Sequence, residues 1–500
     1  MSEALAPPPR PGLLSRAAAV CSERSNPILV RYVRQQIRSR AFIAVFSIVL
    51  GFSTLFALTV GASAGHQSEG DAGLALFGLL TAVWTFAVWV FEPISAFRAT
   101  AAERDDKTWD LLRLTGLTPG QLVRGMFLAS LFQGVIYAAA IAPFLVMAYL
   151  LRGLALSEIG LVLLLVPTAG ACASAGAIFL GCLGHGRGAR NALGVVVAVA
   201  SGLIWFSSLT AWLNFGFVGH FFLDDLADGA ALAIALDFAA VWIGGTLVLG
   251  AAVLRHPAAN RSTAPRVYAY LVLLNGVLWA FVLGDPVIPE TLAVGAFFGA
   301  LAAVTLGAFA VTEDYALTPR QARESARMRP WQLPFLFAPG AARGRFAFVT
   351  LAALVLGTAA LAASGLFPSF NGLDWDDEPL VLSALILAHG ATLLAVGDGL
   401  ARTLLRRSVP TPLVRRVFLL ALAVGLAFIG AILASVLGER SLIVQLFPIP
   451  GLAILSDRPS SGEDAIVLIL LAGAVSALSL LVQGFRRGTV LQRTGDQERP

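Results

Sequence analysis

Long apolar runs of about twenty residues alternate along this chain with short polar and charged stretches. Twelve stand out, at 42–62, 73–97, 126–151, 158–183, 193–215, 230–254, 267–284, 291–311, 346–366, 379–401, 416–437 and 465–484. A helix of about 20 apolar residues crosses roughly 30 Å of hydrocarbon and satisfies its own backbone hydrogen bonds. The pattern therefore predicts an all-α, polytopic integral membrane protein with about twelve transmembrane helices. Composition agrees: 57% of residues are hydrophobic, 13% are charged and mean hydropathy is +0.80, far from the mixture of a soluble domain.

Charge then orients the spans. With the N-terminus cytoplasmic, all of the 35 Lys and Arg residues except Arg152, Arg440 and Arg458 fall on the cytoplasmic side. The opposite loops are acidic, with Glu69 and Asp71, Asp224, Asp225 and Asp228, and Asp374, Asp376, Asp377 and Glu378. This topology explains the net charge of +5 without a nucleic-acid partner. It implies a multi-pass protein of a cell inner membrane with both termini cytoplasmic. The Pro-rich start (APPPRPG, 6–12) and seven arginines before the first apolar run argue against a cleaved signal. Cys21, Cys172 and Cys182 read as small apolar residues, not as a disulfide framework.

The leader, 1–41, contains NPILVRYVRQQIRSR (26–40), with Asn26 as cap and Pro27 in the first helical turn. On a helical projection Arg31, Arg34, Gln35 and Arg38 share one face, and Val30, Val33 and Ile37 another. This suits an amphipathic helix on the membrane surface, its arginines toward lipid phosphates. Between the second and third spans lies ERDDKTWDLLRLTGLTPGQLVRG (103–125), which holds Lys107, the one lysine of the chain. It reads as a helix from about Ala102 to Leu114, ended at Gly116, and a second helix capped by Thr118 with Pro119 at its start.

Together these stretches resemble the membrane subunit of ATP-binding-cassette transporters of the type-2 exporter class. Glu103, Arg104, Thr108, Leu111, Leu112, Thr115 and Leu117 match the family's motif, Arg124 stands for its terminal basic residue, and Trp109-Asp110 replaces the usual Leu-Glu. The resemblance spans about 26–150 and is otherwise one of hydropathy. It implies that the leader helix is a connecting helix. It also implies that 102–122 is a coupling helix, docking on an ATPase through Glu103, Arg104, Trp109, Asp110, Leu111 and Leu112. The expected function is that of an exporter permease rather than an enzyme, with no cofactor of its own. The ATPase must be a separate subunit, because a phosphate-binding loop needs a lysine after a Gly-rich turn. The one lysine lies in DDKTW, and GCLGHGRGAR (181–190) has none.

Type-2 permeases are commonly six-span units working in pairs. The chain divides on this pattern into 42–265 and 266–484, with a tail at 485–500. TEDYALTPRQARESARMRPWQ (312–332) would be the second coupling loop, or an interfacial segment holding anionic lipid. A homodimer or a second permease remains the other way to complete the path.

Inside the spans Glu92 and Asp237 are the costly residues, at about 2.5–3.5 kcal/mol for a central Asp on insertion scales. They read as polar lining of a translocation path. Glu92 could equally form a coupling hinge with Pro93, and the alternative for it is a packing or snorkelling carboxylate paired with Arg98 or another arginine. Asp398 reads as a boundary residue near Arg402, and His389 as a hydrogen-bonded core residue. The outward segments 215–229 and 438–464 read as short re-entrant or interfacial elements. Two rival classes remain: a polytopic membrane enzyme acting on a lipid-linked substrate, for which DWDDE (374–378) is the one acidic cluster, and a secondary transporter.

Overall fold

An apolar segment in lipid has no water to satisfy its amides, so helix is the one structure open to each run. The computed structural model bears this out: among the described residues no strand occurs. The structure describes 27–63, 71–105, 117–151, 154–184, 186–213, 229–256, 259–283, 288–311, 336–363 and 378–404. It also describes 415, 418–419, 422–423, 426, 468–480 and 482. The chain forms two compact units, Met1–Ala251 and Ala252–Pro500.

In the first unit the leader forms α1 (Pro27–Ile37) and the first span α2 (Arg40–Ser63). The second pass comprises α3 (Asp71–Thr85), a π-helical turn (Phe86–Phe91) and α4 (Glu92–Asp105). Then follow α5 (Pro119–Leu150), α6 (Leu156–Leu183), α7 (Gly186–Leu213) and α8 (Gly229–Leu254). The core is built where α2, α3, α5 and α6 meet, from Val49, Leu76, Leu80, Trp84, Tyr137, Ile141 and Val162. Ile43, Phe52, Leu58, Val199 and Phe206 point outward, as lipid-facing positions do.

The second unit centres on α10 (Ile288–Val311), packed by α9 (Thr263–Leu283), α11 (Ala341–Ala363) and α12 (Glu378–Leu404). Small residues let it be central: Ala296, Ala300 and Ala303 are fully buried, and a Cβ on Gly295 would stand 2.9 Å from the Cα of Gly276 on α9. Buried Arg266, on α9, donates to the carbonyls of Leu336, Ala338 and Gly340 and so ties the start of α9 to the start of α11.

Eight helices among the described residues are long and apolar enough to cross a membrane: Arg40–Ala62, Ala72–Glu103, Pro119–Leu150, Leu156–Leu183, Gly186–Leu209, Leu232–Leu254, Arg343–Leu361 and Ser383–Leu400. Of the other four expected spans, 267–284 and 291–311 coincide with α9 and α10, though the apolar part of α10 is the shorter Val294–Phe309. Leu468–Leu480 falls within 465–484, and 416–437 lies almost wholly outside the described residues.

Two boundaries differ from expectation. The second span does not stop at 97 but runs unbroken to Asp105, so Ala102 and Glu103 belong to its end and not to a new helix. The Gly-rich 181–190 is hardly a loop: α6 ends at Leu183 and α7 begins at Gly186, whose φ of +77° is a left-handed conformation that glycine adopts without strain.

Candidate functional site

Pro93 is the local cause of the first feature. A proline inside a helix lacks the N–H for its own turn, and its ring crowds the carbonyl four residues back, here Trp89. The chain widens just before it, and Glu92 donates its N–H to the carbonyl of Ala87, five residues back in π register. The turn sets Glu92 facing α5 and α6, where it is 1% exposed.

On α5 the residues Ser130, Gln133, Gly134 and Tyr137 are spaced 0, 3, 4 and 7 along the helix, so they line one stripe, and all are buried. On α6, Ser174 donates to Glu92 Oε1 at 3.1 Å. Ser130 also adjoins the carboxyl, but its hydroxyl donates to the carbonyl of Phe127 at 3.0 Å. Gln133 Nε2 donates to the Tyr137 hydroxyl at 3.2 Å. Two acceptors in this cluster have no hydrogen-bond partner, Glu92 Oε2 and Gln133 Oε1. Oε2 lies 3.0 Å from where a Cβ on Gly134 would sit, so a larger residue there would press on the carboxyl. The expected pairing with Arg98 is absent: Arg98 is exposed, and Glu92 takes its hydrogen bond from the Ser174 hydroxyl within the protein.

The second feature is a frame around the charged stretch. At its near flank Arg31 of α1 donates to Glu103 Oε1 at 2.9 Å. Glu103 is nearly buried, and Arg31 is half exposed. Tyr32 faces the same carboxyl without closing a hydrogen bond. Burial first, and then the Glu103 charge, push its phenol well above its ordinary 10.0, so it stays neutral. At the far flank Thr118 accepts from the Gln121 N–H at 3.3 Å, while Gln121 Oε1 accepts from the Thr118 N–H at 2.9 Å, a reciprocal cap that starts α5. α1 packs along α5, so both flanks are held to one surface.

The leader helix itself differs from the expected two-faced form. Ile28 and Tyr32 make its buried face, whereas Val30 and Ile37 are exposed, beside a ridge of exposed Arg31, Arg34 and Arg38. Trp109, Asp110, Leu111 and Leu112 lie outside the described residues, as does the side chain of Arg104. Asp237 is half-buried on α8 and is not one of Glu92's partners. Asp398 makes an ion pair with Arg415 at 3.6 Å, both nearly buried. His389 Nε2 has no hydrogen-bond partner, against its expected role as a bonded core histidine. No group of three His, Cys, Asp or Glu that could hold a metal occurs among the described residues.

Sequence reasoning singled out Glu92 but missed its partners. Their signal was the 3-4-7 spacing of Ser130, Gln133, Gly134 and Tyr137 within an apolar run, together with a proline directly after a buried acid. No family model, no curated protein and no solved structure matches the chain.

Proposed function

We propose that the chain is the permease subunit of an ATP-driven exporter, coupled to a separately encoded ATPase that grips the segment 102–122. In this reading it has twelve spans in two six-helix halves and acts by moving helices, not by catalysis. The supporting observation is the frame at the flanks of 106–116. An ion pair to α1 fixes the end of α4, a reciprocal cap fixes the start of α5, and α1 lies along α5. A force applied to the segment would reach three helices at once. The exposed arginine ridge of α1, with Val30 and Ile37 beside it, fits a helix lying on a leaflet of anionic lipid. One chain then supplies both halves, or a homodimer or second permease completes the path.

Trp109, Leu111 and Leu112 are the anchors in this reading, because a buried large apolar side chain contributes about 1.5–3 kcal/mol and a few such residues dominate an interface. The test co-expresses the chain with an ATP-binding-cassette ATPase encoded beside it and scores co-purification and ATP turnover in reconstituted membranes. Trp109→Ala with Leu112→Ala is expected to release the ATPase or uncouple its turnover while the chain stays inserted, and Lys107→Ala to change neither. Full partner binding and turnover in the double variant would remove the ground for the reading.

A further inference from the structure

A carboxylate in the interior of a membrane protein is ordinarily matched by a cation, because an isolated buried charge costs far more than its hydrogen bonds return. Glu92 accepts from Ser174, and the neighbouring Ser130 spends its hydrogen on Phe127. Among the described residues no arginine, lysine or histidine acts on it. Among the described residues its neighbours on α5 and α6 are otherwise neutral: Ser130, Gln133 and Gly134 on α5, and Ser174 on α6, with the Tyr137 phenol also nearby. Two oxygens in this one cluster, Glu92 Oε2 and Gln133 Oε1, accept nothing. The cluster is thus short of positive charge by one and short of donors by two.

We propose that Glu92, with Ser130, Gln133 and Ser174 around it, is a binding site for one monovalent cation, a proton or a sodium ion, in the interior of the first unit. The shared chemistry is a single positive charge on a carboxylate ringed by hard, neutral oxygens. A proton turns Oε2 into a donor. A sodium ion draws on both idle oxygens and on the hydroxyls. A divalent ion is disfavoured, since one carboxylate supplies one negative charge and such ions take several charged oxygens. The site lies where the helix changes register before Pro93, so its occupancy is tied to how α4 packs on α5 and α6. Loss of the cation leaves a bare charge between helices, which favours their parting to admit water. The inference does not depend on the ATPase reading, and its test uses no ATPase.

The test treats the full chain in lipid nanodiscs with dicyclohexylcarbodiimide, an apolar reagent that modifies protonated carboxyl groups, and maps residue 92 by mass spectrometry. One arm raises the pH in choline buffer, and the other adds sodium chloride against choline chloride at fixed pH. Residue 92 is expected to be modified in choline buffer near neutrality. If sodium is the ligand, added sodium lowers modification several-fold and raises the melting temperature of the native chain but not of Glu92→Gln, as a ligand binding the folded state must. If the ligand is a proton, sodium has no effect and alkaline pH alone suppresses modification. The proposal is overturned if residue 92 stays unmodified throughout, or if its modification responds to neither sodium nor pH. The labelling arms use only the native chain, so they decide the matter even where Glu92→Gln does not fold.

Discussion

At Gly170 the approach of α6 to the π-helical turn depends on a missing methyl group. A Cβ there would stand 2.2 Å from Val88 Cγ1 and 3.1 Å from the Val88 carbonyl oxygen. In lipid, helices associate through close packing of small residues rather than by hiding apolar surface from water. Ser174, one turn further along α6, reaches Glu92 because Gly170 lets the backbones close. Gly170→Ala is therefore expected to destabilise the chain by about 1–3 kcal/mol, the usual cost of overpacking. Val88→Ala in the same chain should recover part of that loss, since it removes the nearer of the two clashes. Thermal unfolding in detergent measures both. Equal melting temperatures for native and Gly170→Ala chains would show that the helices do not meet this closely.

Among the elements, α1 has the most to teach about reading helices from sequence. The arginine ridge was legible because Arg31, Arg34 and Arg38 recur at helical spacing. The protein-facing side was not, because Tyr32 and Ile28 are no more apolar than Val30 and Ile37, and only contact with α5 decides which pair is covered. Projection ranks polarity. It does not say which apolar stripe meets protein and which meets lipid. The π-helical turn was hidden for a similar reason: Pro93 announced a disturbance, and its form depends on the tertiary partners of Glu92. α4 is fixed near its end by Glu103, whose pairing with Arg31 spans 72 residues and left no trace in local spacing. With one partner half exposed and the other nearly buried, the pair should contribute about 1 kcal/mol, the upper end for accessible ion pairs. Glu103→Gln is expected to speed amide exchange across 28–37 by about five-fold, as 1.4 kcal/mol is ten-fold. Arg31→Ala should do the same, and the two together no more than either alone. Additive effects would mean that the two side chains act independently.

For the whole molecule the decisive quantity is the side of the membrane on which each helix ends. Within the first unit the alternation is visible in the packing. Arg31 meets Glu103, so the two passes after α1 return to its side. A Cβ on Gly181 would stand 2.9 Å from Thr100 Cβ, which sets the turn from α6 to α7 on that side too. Near the end of α8, a Cβ on Gly250 would lie 3.6 Å from both Cys182 Sγ and Val123 Cγ1, at the end of α6 and the start of α5. Six passes thus begin and end at one face, the face that carries Arg31, Arg34, Arg38, Arg124, Arg187 and Arg190. The excess of arginine on that face is the ground for proposing that it is the cytoplasmic one. In the second unit the tie from Arg266 to Ala338 and Gly340 places the starts of α9 and α11 together, as they would lie if α9 and α10 were one outward and one return pass. Reporter tags inserted at Asp71, Asp225 and Asp376 are therefore expected to read as outside, and tags at Arg190 and Arg320 as cytoplasmic. The first two outside positions flank passes whose parity the packing supports, while Asp376 also depends on the spans of the second unit. A cytoplasmic signal at both Asp71 and Asp225 would reverse the first unit, and one at either alone would break the parity within it. The same signal at Asp376 alone would leave the first unit in place and reduce the count between Ala252 and Asp376 by an odd number of spans.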